Sequence, residues 1–178
     1  MADRLRKGLV LIVDDEEPIR ESLSELLEAC RYEVLVADCV DNAIKVIDKH
    51  ADIDAIISDL KMPGKPGTEL LHYIYKTGKK IPLMFLTGFA TLETCQQAVR
   101  EGAFDYILKP IDDKDKILMP LKHAIDQSGL EKKNKELQQE ILRMAEEHQE
   151  LMDQLLDDAE TRDIVQKKIN DIVEKWKE

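Results

Sequence analysis

Four short apolar runs of this chain stop on groups that can hold a cation or a phosphoryl group. LVLIV ends before Asp14 and Asp15, AIIS before Asp59, LMFL before Thr87, and YIL before Lys109 and Pro110. Three carboxylates drawn together would repel one another without a cation. Hard oxygen ligands in a partly open site suit Mg²⁺, which keeps several of its waters. Lys109 adds a fixed positive charge and Thr87 a hydroxyl donor. Such a set can hold a phosphoryl group, where catalysis is mostly positioning and charge neutralisation. One carboxylate can itself be the nucleophile, giving an acyl phosphate.

That chemistry needs the five positions, scattered in sequence, to meet in space. The apolar runs predict strands at 9–13, 33–37, 55–58, 83–86 and 106–108. Amphipathic segments between them predict helices at 18–30, 41–50, 67–77 and 91–101, with a further helix after Asp112. Asp41 and Thr91 are placed to cap two of these. Several runs are apolar without alternation, as in strands of a parallel sheet covered on both faces. Strand and helix in alternation make a doubly wound α/β domain. Its crossovers share one hand, so all strand C-termini lie along one edge, where such folds bind their ligands.

The composition sets limits. The chain has 178 residues and a net charge of -11. An acidic chain is a poor non-specific nucleic-acid binder, because displacing counterions needs a basic face. Cys30, Cys39 and Cys95 are odd in number and lack paired spacing, so they are expected to be buried, reduced thiols of a cytoplasmic protein. No apolar run approaches the ~20 residues that span a bilayer, and no signal peptide is read at the start.

Composition changes near Ser128. All seven Gly and all six Pro lie at or before Gly129. Beyond it a seven-residue register takes over. Leu130, Leu137, Met144 and Leu151 share one apolar position, and Asn134, Ile141, His148 and Leu155 the other. Asp158 and Arg162 interrupt the seam, and Val165, Ile169, Ile172 and Trp176 resume it in phase. This predicts a coiled coil, about 70 Å long if it is one straight helix at ~1.5 Å per residue. The domains are thus expected at 1–128 and 129–178. Residues 156–163 are either a polar layer in one long coil or a bend at which the helix folds back.

The motifs VDDEE, IISDLKMPG, FLTG and YILKP, in this order and spacing, resemble the receiver domain of bacterial two-component response regulators over residues 8 to about 127. The resemblance implies a flavodoxin-like, five-stranded parallel sheet. It implies that Asp59 is the phosphoacceptor. Asp15 and Asp59 would contact Mg²⁺ directly, Asp14 would act through water, and the main-chain carbonyl of Lys61 would complete the protein ligands. Lys109 would pair with phosphoryl oxygens, and its bond to Pro110 would be cis. Thr87 would move toward the phosphoryl group and Tyr106 would swing in behind it. That motion would repack the face made by the 91–101 helix, the fifth strand and the helix after it. Lys61 and Phe89 would tune autodephosphorylation.

The resulting expectation is a cytoplasmic, phosphorylation-activated regulator. It catalyses only its own phosphorylation and dephosphorylation. Its partners would be a sensor histidine kinase or phosphotransfer protein, a second copy joined through the coil, or another protein docked on the coil. Neither nucleic acid nor membrane is expected among them. The alternatives are an N-terminal fragment of a larger regulator, whose output domain would be a cyclic-dinucleotide phosphodiesterase, a kinase or an ATPase, and a phosphate sink. Some residues carry two readings. His148 is a register-setting seam residue or a phosphorelay site, and Glu146 with Gln149 is ordinary coil surface or part of a phosphatase helix. Tyr106 is a core aromatic, a switch, or both. Pro120 falls inside the last receiver helix, so that helix is expected to kink or to begin near Met119.

Overall fold

The computed structural model describes residues 7–88 and 102–155, and further along the chain 163–165, 167–168 and 170. Phe89, the predicted 91–101 helix with Thr91 and Cys95, all of the 156–163 break except Asp163, and the resumed seam at Ile169, Ile172 and Trp176 lie outside the described residues. The chain divides into two compact units, Met1–Glu131 and Lys132–Glu178.

Five strands form the sheet: β1 (Leu9–Val13), β2 (Glu33–Ala37), β3 (Ala55–Asp59), β4 (Leu83–Thr87) and β5 (Asp105–Leu108). All pairings are parallel, in the order β2-β1-β3-β4-β5. The described helices are α1 (Glu17–Ala29), α2 (Val40–Lys49), α3 (Thr68–Lys76) and α4 (Asp115–Leu155). Strand order reverses between β1 and β3, which opens a crevice at their carboxyl ends, and Asp14, Asp15 and Asp59 sit there.

The pleat divides the core into two layers. Leu11, Val13, Ile56, Leu83 and Phe85 face α2 and α3, where Ala43, Ile47, Leu70 and Ile74 complete the packing. Their neighbours Val10, Ile12, Ile57, Met84, Leu86 and Ile107 face the other way, onto Leu23 and Leu27 of α1 and Ile117, Leu121 and Ala124 of α4. Both faces are apolar because both are covered, which is why the strands read as continuous runs.

The structure revises several expectations. Helix α4 is continuous through Pro120 and begins at Asp115, before Met119. Pro120 has no N–H to offer the carbonyl of Lys116. Ile117 and Leu121, both fully buried, hold this stretch against the sheet on either side of the proline. Asp41 does not cap α2. The N-cap is Cys39, without a side-chain bond, and the Asp41 carboxylate pairs with Lys65 instead. Cys30 and Cys39 are free thiols but only half-buried, because both stand at helix ends, Cys30 at the margin of the second layer of the core.

Helix α1 closes on a Schellman arrangement: Tyr32 N–H donates to the Leu27 carbonyl and Arg31 N–H to that of Glu28. The position that favours glycine is Arg31, at φ 71°.

Candidate functional site

The site is built from strand ends. β3 and β4 each run one residue further than their apolar stretch, because Asp59 still pairs with Leu86, and Thr87 with Leu108. The ladder thereby fixes the backbones of the acid and the threonine. Lys109 is fixed from the same edge, its N–H donating to the Thr87 carbonyl at 2.8 Å. The Lys109–Pro110 bond is cis, as expected.

Asp14 and Asp59 are buried and Asp15 is exposed. Each of the three offers a carboxylate oxygen lying within 4.8 Å of the others. Lys109 Nζ is 2.8 Å from Asp14 Oδ2 and 3.2 Å from Asp59 Oδ2. The remaining oxygen of each buried acid accepts a main-chain N–H. Glu16 donates to Asp14 Oδ1 at 3.0 Å, and Lys61 donates to Asp59 Oδ1 at 3.2 Å. Both buried carboxylates are therefore bonded at both oxygens, one through the ammonium and one through the loop that follows. Burial alone would lower the pKa of Lys109. The hydrogen bond and charge of Asp14, joined by Asp59, outweigh it and hold the ammonium above its ordinary value.

Three carboxylates and one ammonium leave a formal charge of -2, which one divalent ion would balance. Three hard carboxylate oxygens grouped this closely are the donor set that Mg²⁺ takes, so the residues present fit the ion.

Tyr106 is half-buried against the α2–α3 layer. Its hydroxyl is fully buried and has no hydrogen-bond partner among the described residues. Leaving such a group unpaired costs ~1–3 kcal/mol.

Three supporting residues were not singled out from sequence. The Arg20 guanidinium on α1 donates to the carbonyls of Asp14 at 2.7 Å and Asp15 at 3.0 Å, and so shapes the acid loop. Ser58 Oγ donates to the Asp59 carbonyl at 2.9 Å. Gly67 passes so close beneath Asp59 that an added Cβ would lie 2.2 Å from that carbonyl oxygen and 3.0 Å from Phe85 Cε1. An arginine serving main-chain carbonyls leaves no residue pattern to find. Gly67 carried a signal, a glycine beside Pro66 just after the acid, but at a helix start it reads as ordinary punctuation.

A family model described as the response regulator receiver domain matches residues 10–122. The chain is 31% identical over 118 residues to the response regulator protein FleR of Pseudomonas aeruginosa, covering 66% of this chain and 25% of that protein. It is 33% identical over 135 residues to a putative NtrX-like response regulator of Rickettsia bellii, covering 75% of this chain and 28% of that protein. Among solved structures, a response regulator receiver domain protein from Clostridium thermocellum matches with a TM-score of 0.65 and 31% identity, over 69% of this chain and 98% of that one. The Vibrio cholerae chemotaxis protein CheY4 matches with a TM-score of 0.61 and 30% identity, over 66% and 98%. The chain spans about a quarter of the length of these curated relatives. Among the described residues, no helix is long and apolar enough to cross a membrane.

Proposed function

The chain belongs to the response regulator receiver family, and on that premise we propose that Asp59 is its phosphoacceptor. The observation that carries the reading is the convergence of Asp14, Asp15, Asp59 and Lys109 at the crevice where strand order reverses. The donor is a phosphohistidine on a sensor kinase or phosphotransfer protein. An Asp59 carboxylate oxygen attacks phosphorus, the N–P bond breaks, the imidazole leaves and an acyl phosphate forms. Water later attacks the phosphorus and releases inorganic phosphate, so the chain acts only on its own phosphoryl group.

A bound Mg²⁺ supplies neutralisation of the phosphoryl oxygens. Asp15 and Asp59 would hold it directly, Asp14 through water, with the main-chain carbonyl of Lys61 as a further ligand. For transfer to occur, Lys109 must leave Asp59 Oδ2 and turn to the incoming phosphoryl oxygens. Thr87, at the end of the adjacent strand, donates its hydroxyl to the same group. Tyr106 moves with Thr87 as the switch. Its buried hydroxyl, without a partner among the described residues, supports this role, since a rearrangement that gives it a partner recovers the cost of its burial.

The domain reading is a receiver at 1–128 followed by a helical extension at 129–178. That extension joins two copies of the chain, and a cytoplasmic address is part of the proposal. The greater length of the relatives supports a second reading, that these residues belong to a larger regulator whose output domain is a cyclic-dinucleotide phosphodiesterase, a kinase or an ATPase.

The test is incubation with a small-molecule phosphoramidate and Mg²⁺, read by intact mass. Gain of one phosphoryl group, abolished by chelation and by Asp59→Asn, is the expected result. Labelling that survives Asp59→Asn would refute the assignment.

A further inference from the structure

Helix α4 carries an exposed apolar stripe. Leu130, Leu137, Ile141, Met144 and Leu151 are each more than half exposed, and they recur at the spacing of a heptad seam. We propose that this stripe pairs with the same stripe of a second copy, parallel and in register. The proposal rests on the reading of the extension as a homodimer and adds its orientation, its alignment and the residues that set them.

The polar residues of the seam decide the orientation. With Leu130, Leu137, Met144 and Leu151 at the d positions, the a positions are Asn134, Ile141, His148 and Leu155. In a parallel, in-register pair each layer meets its own kind. Asn134 faces Asn134, whose amide both donates and accepts, and His148 faces His148, whose neutral ring can do the same. Shifting the register by a heptad sets Asn134 against Ile141, leaving a polar group buried against an apolar one. An antiparallel pair centred on the same segment is worse, because it sets Asn134 against Leu151 and His148 against Leu137. A polar residue at an a position is the attested device for fixing register, and Leu at d suits two strands.

The flanks agree. The g positions include Glu140 and Glu147, and the e positions reached from them in a parallel pair are Ala145 and Met152. No like charges meet there. Arg143 holds both glutamates on its own helix, at 2.8 Å from Glu140 Oε1 and 3.5 Å from Glu147 Oε1. Their aliphatic stems are then free to cover the apolar e residues of the other copy. In an antiparallel pair the g positions face each other, and Glu140 would meet Glu147. An intrachain hairpin is disfavoured by sequence, since nothing after Gly129 is Gly or Pro, the residues that make tight turns.

The test starts with sedimentation equilibrium of the full chain. A dimer is expected, and a monomer would overturn the proposal. In a background with Cys30, Cys39 and Cys95 changed to Ala, Met144→Cys is expected to form an interchain disulfide. An equimolar mixture of Asn134→Cys and Leu151→Cys chains is expected to give only like-with-like disulfides. A mixed 134–151 disulfide would show an antiparallel pair and overturn the proposal. Should the cysteine-free background fold poorly, Leu137→Glu with Ile141→Glu in the native chain is the alternative, since both sites are exposed. It is expected to weaken association by about a hundredfold or more; unchanged association would overturn the proposal. Phosphoryl labelling of Asp59 in the same samples separates failure of the pairing from failure of the receiver reading.

Discussion

Replacing Lys109 with Met tests how the acid cluster is held together. The change keeps most of the side chain's length and removes its charge. Two buried carboxylates, at 2.8 and 3.2 Å from Nζ, lose their counter-charge. Removing one partner of a buried pair costs ~3–5 kcal/mol. The lower end applies here, because each acid keeps a main-chain N–H and burial of the lysine itself no longer has to be offset. A loss of about 3 kcal/mol corresponds to a fall in Tm of roughly 10 °C for a chain of this size. Urea melts without divalent ion measure it. Adding Mg²⁺ at about a hundred times its Kd is worth ~2.7 kcal/mol to the folded state. The variant should therefore recover most of its deficit, and gain more than the parent, in which Lys109 competes for the same oxygens. The pH profile has a definite sign. The ammonium's folded-state value lies above its ordinary 10.5. Its contribution is thus complete below that pH and lost only as pH rises through the higher folded-state value. A variant within about 1 kcal/mol of the parent without divalent ion, or one indifferent to Mg²⁺, would refute the reasoning.

Three other outcomes are expected. Arg31→Gly should stabilise the domain by about 0.5–1 kcal/mol in urea melts, since relief of left-handed strain exceeds the added freedom of the unfolded chain. Gly67→Ala forces a Cβ against the Asp59 carbonyl; it should cost ~1–3 kcal/mol and weaken Mg²⁺-dependent beryllofluoride binding measured by calorimetry. Asp48 is held below its usual value of 3.8, first by the Tyr73 hydroxyl and then by Lys79. Its share of stability is therefore present above pH 3.8 and lost as pH falls through the lower folded-state value. Tyr73→Phe should flatten that acid limb of the stability profile.

The sequence made the site legible because its chemistry is concentrated in side chains at the ends of apolar runs. It misjudged the strand ends for a related reason. An apolar criterion stops at Ser58 and Leu86, while the ladder is indifferent to side-chain polarity and carries Asp59 and Thr87 as strand residues. The start of α2 was misplaced because Asp41 looks like a cap, whereas Lys65, distant in sequence, claims its carboxylate. Pro120 was expected to kink the last receiver helix or to delay its start to near Met119, and the start lies earlier, at Asp115. Local cost argued for the later start, but burial of Ile117 and Leu121 on either side of the proline outweighs one missing hydrogen bond. Arg20 acts on main-chain carbonyls, which look alike in any sequence, so only the folded chain discloses it.

The two-layered core has a consequence for how substitutions combine. Leu11 and Ile12 are consecutive residues, yet they lie in different layers with the sheet between them. Truncating both should give nearly the sum of the separate losses, because the side chains that relax around one do not reach the other. Leu11 and Ile47 are far apart in the chain but share one layer. Where two such side chains share neighbours, the second truncation enters a space the first has already loosened, and the sum fails. Epistasis along these strands should therefore alternate with the pleat, so that a residue's closest partners in sequence are its most independent ones.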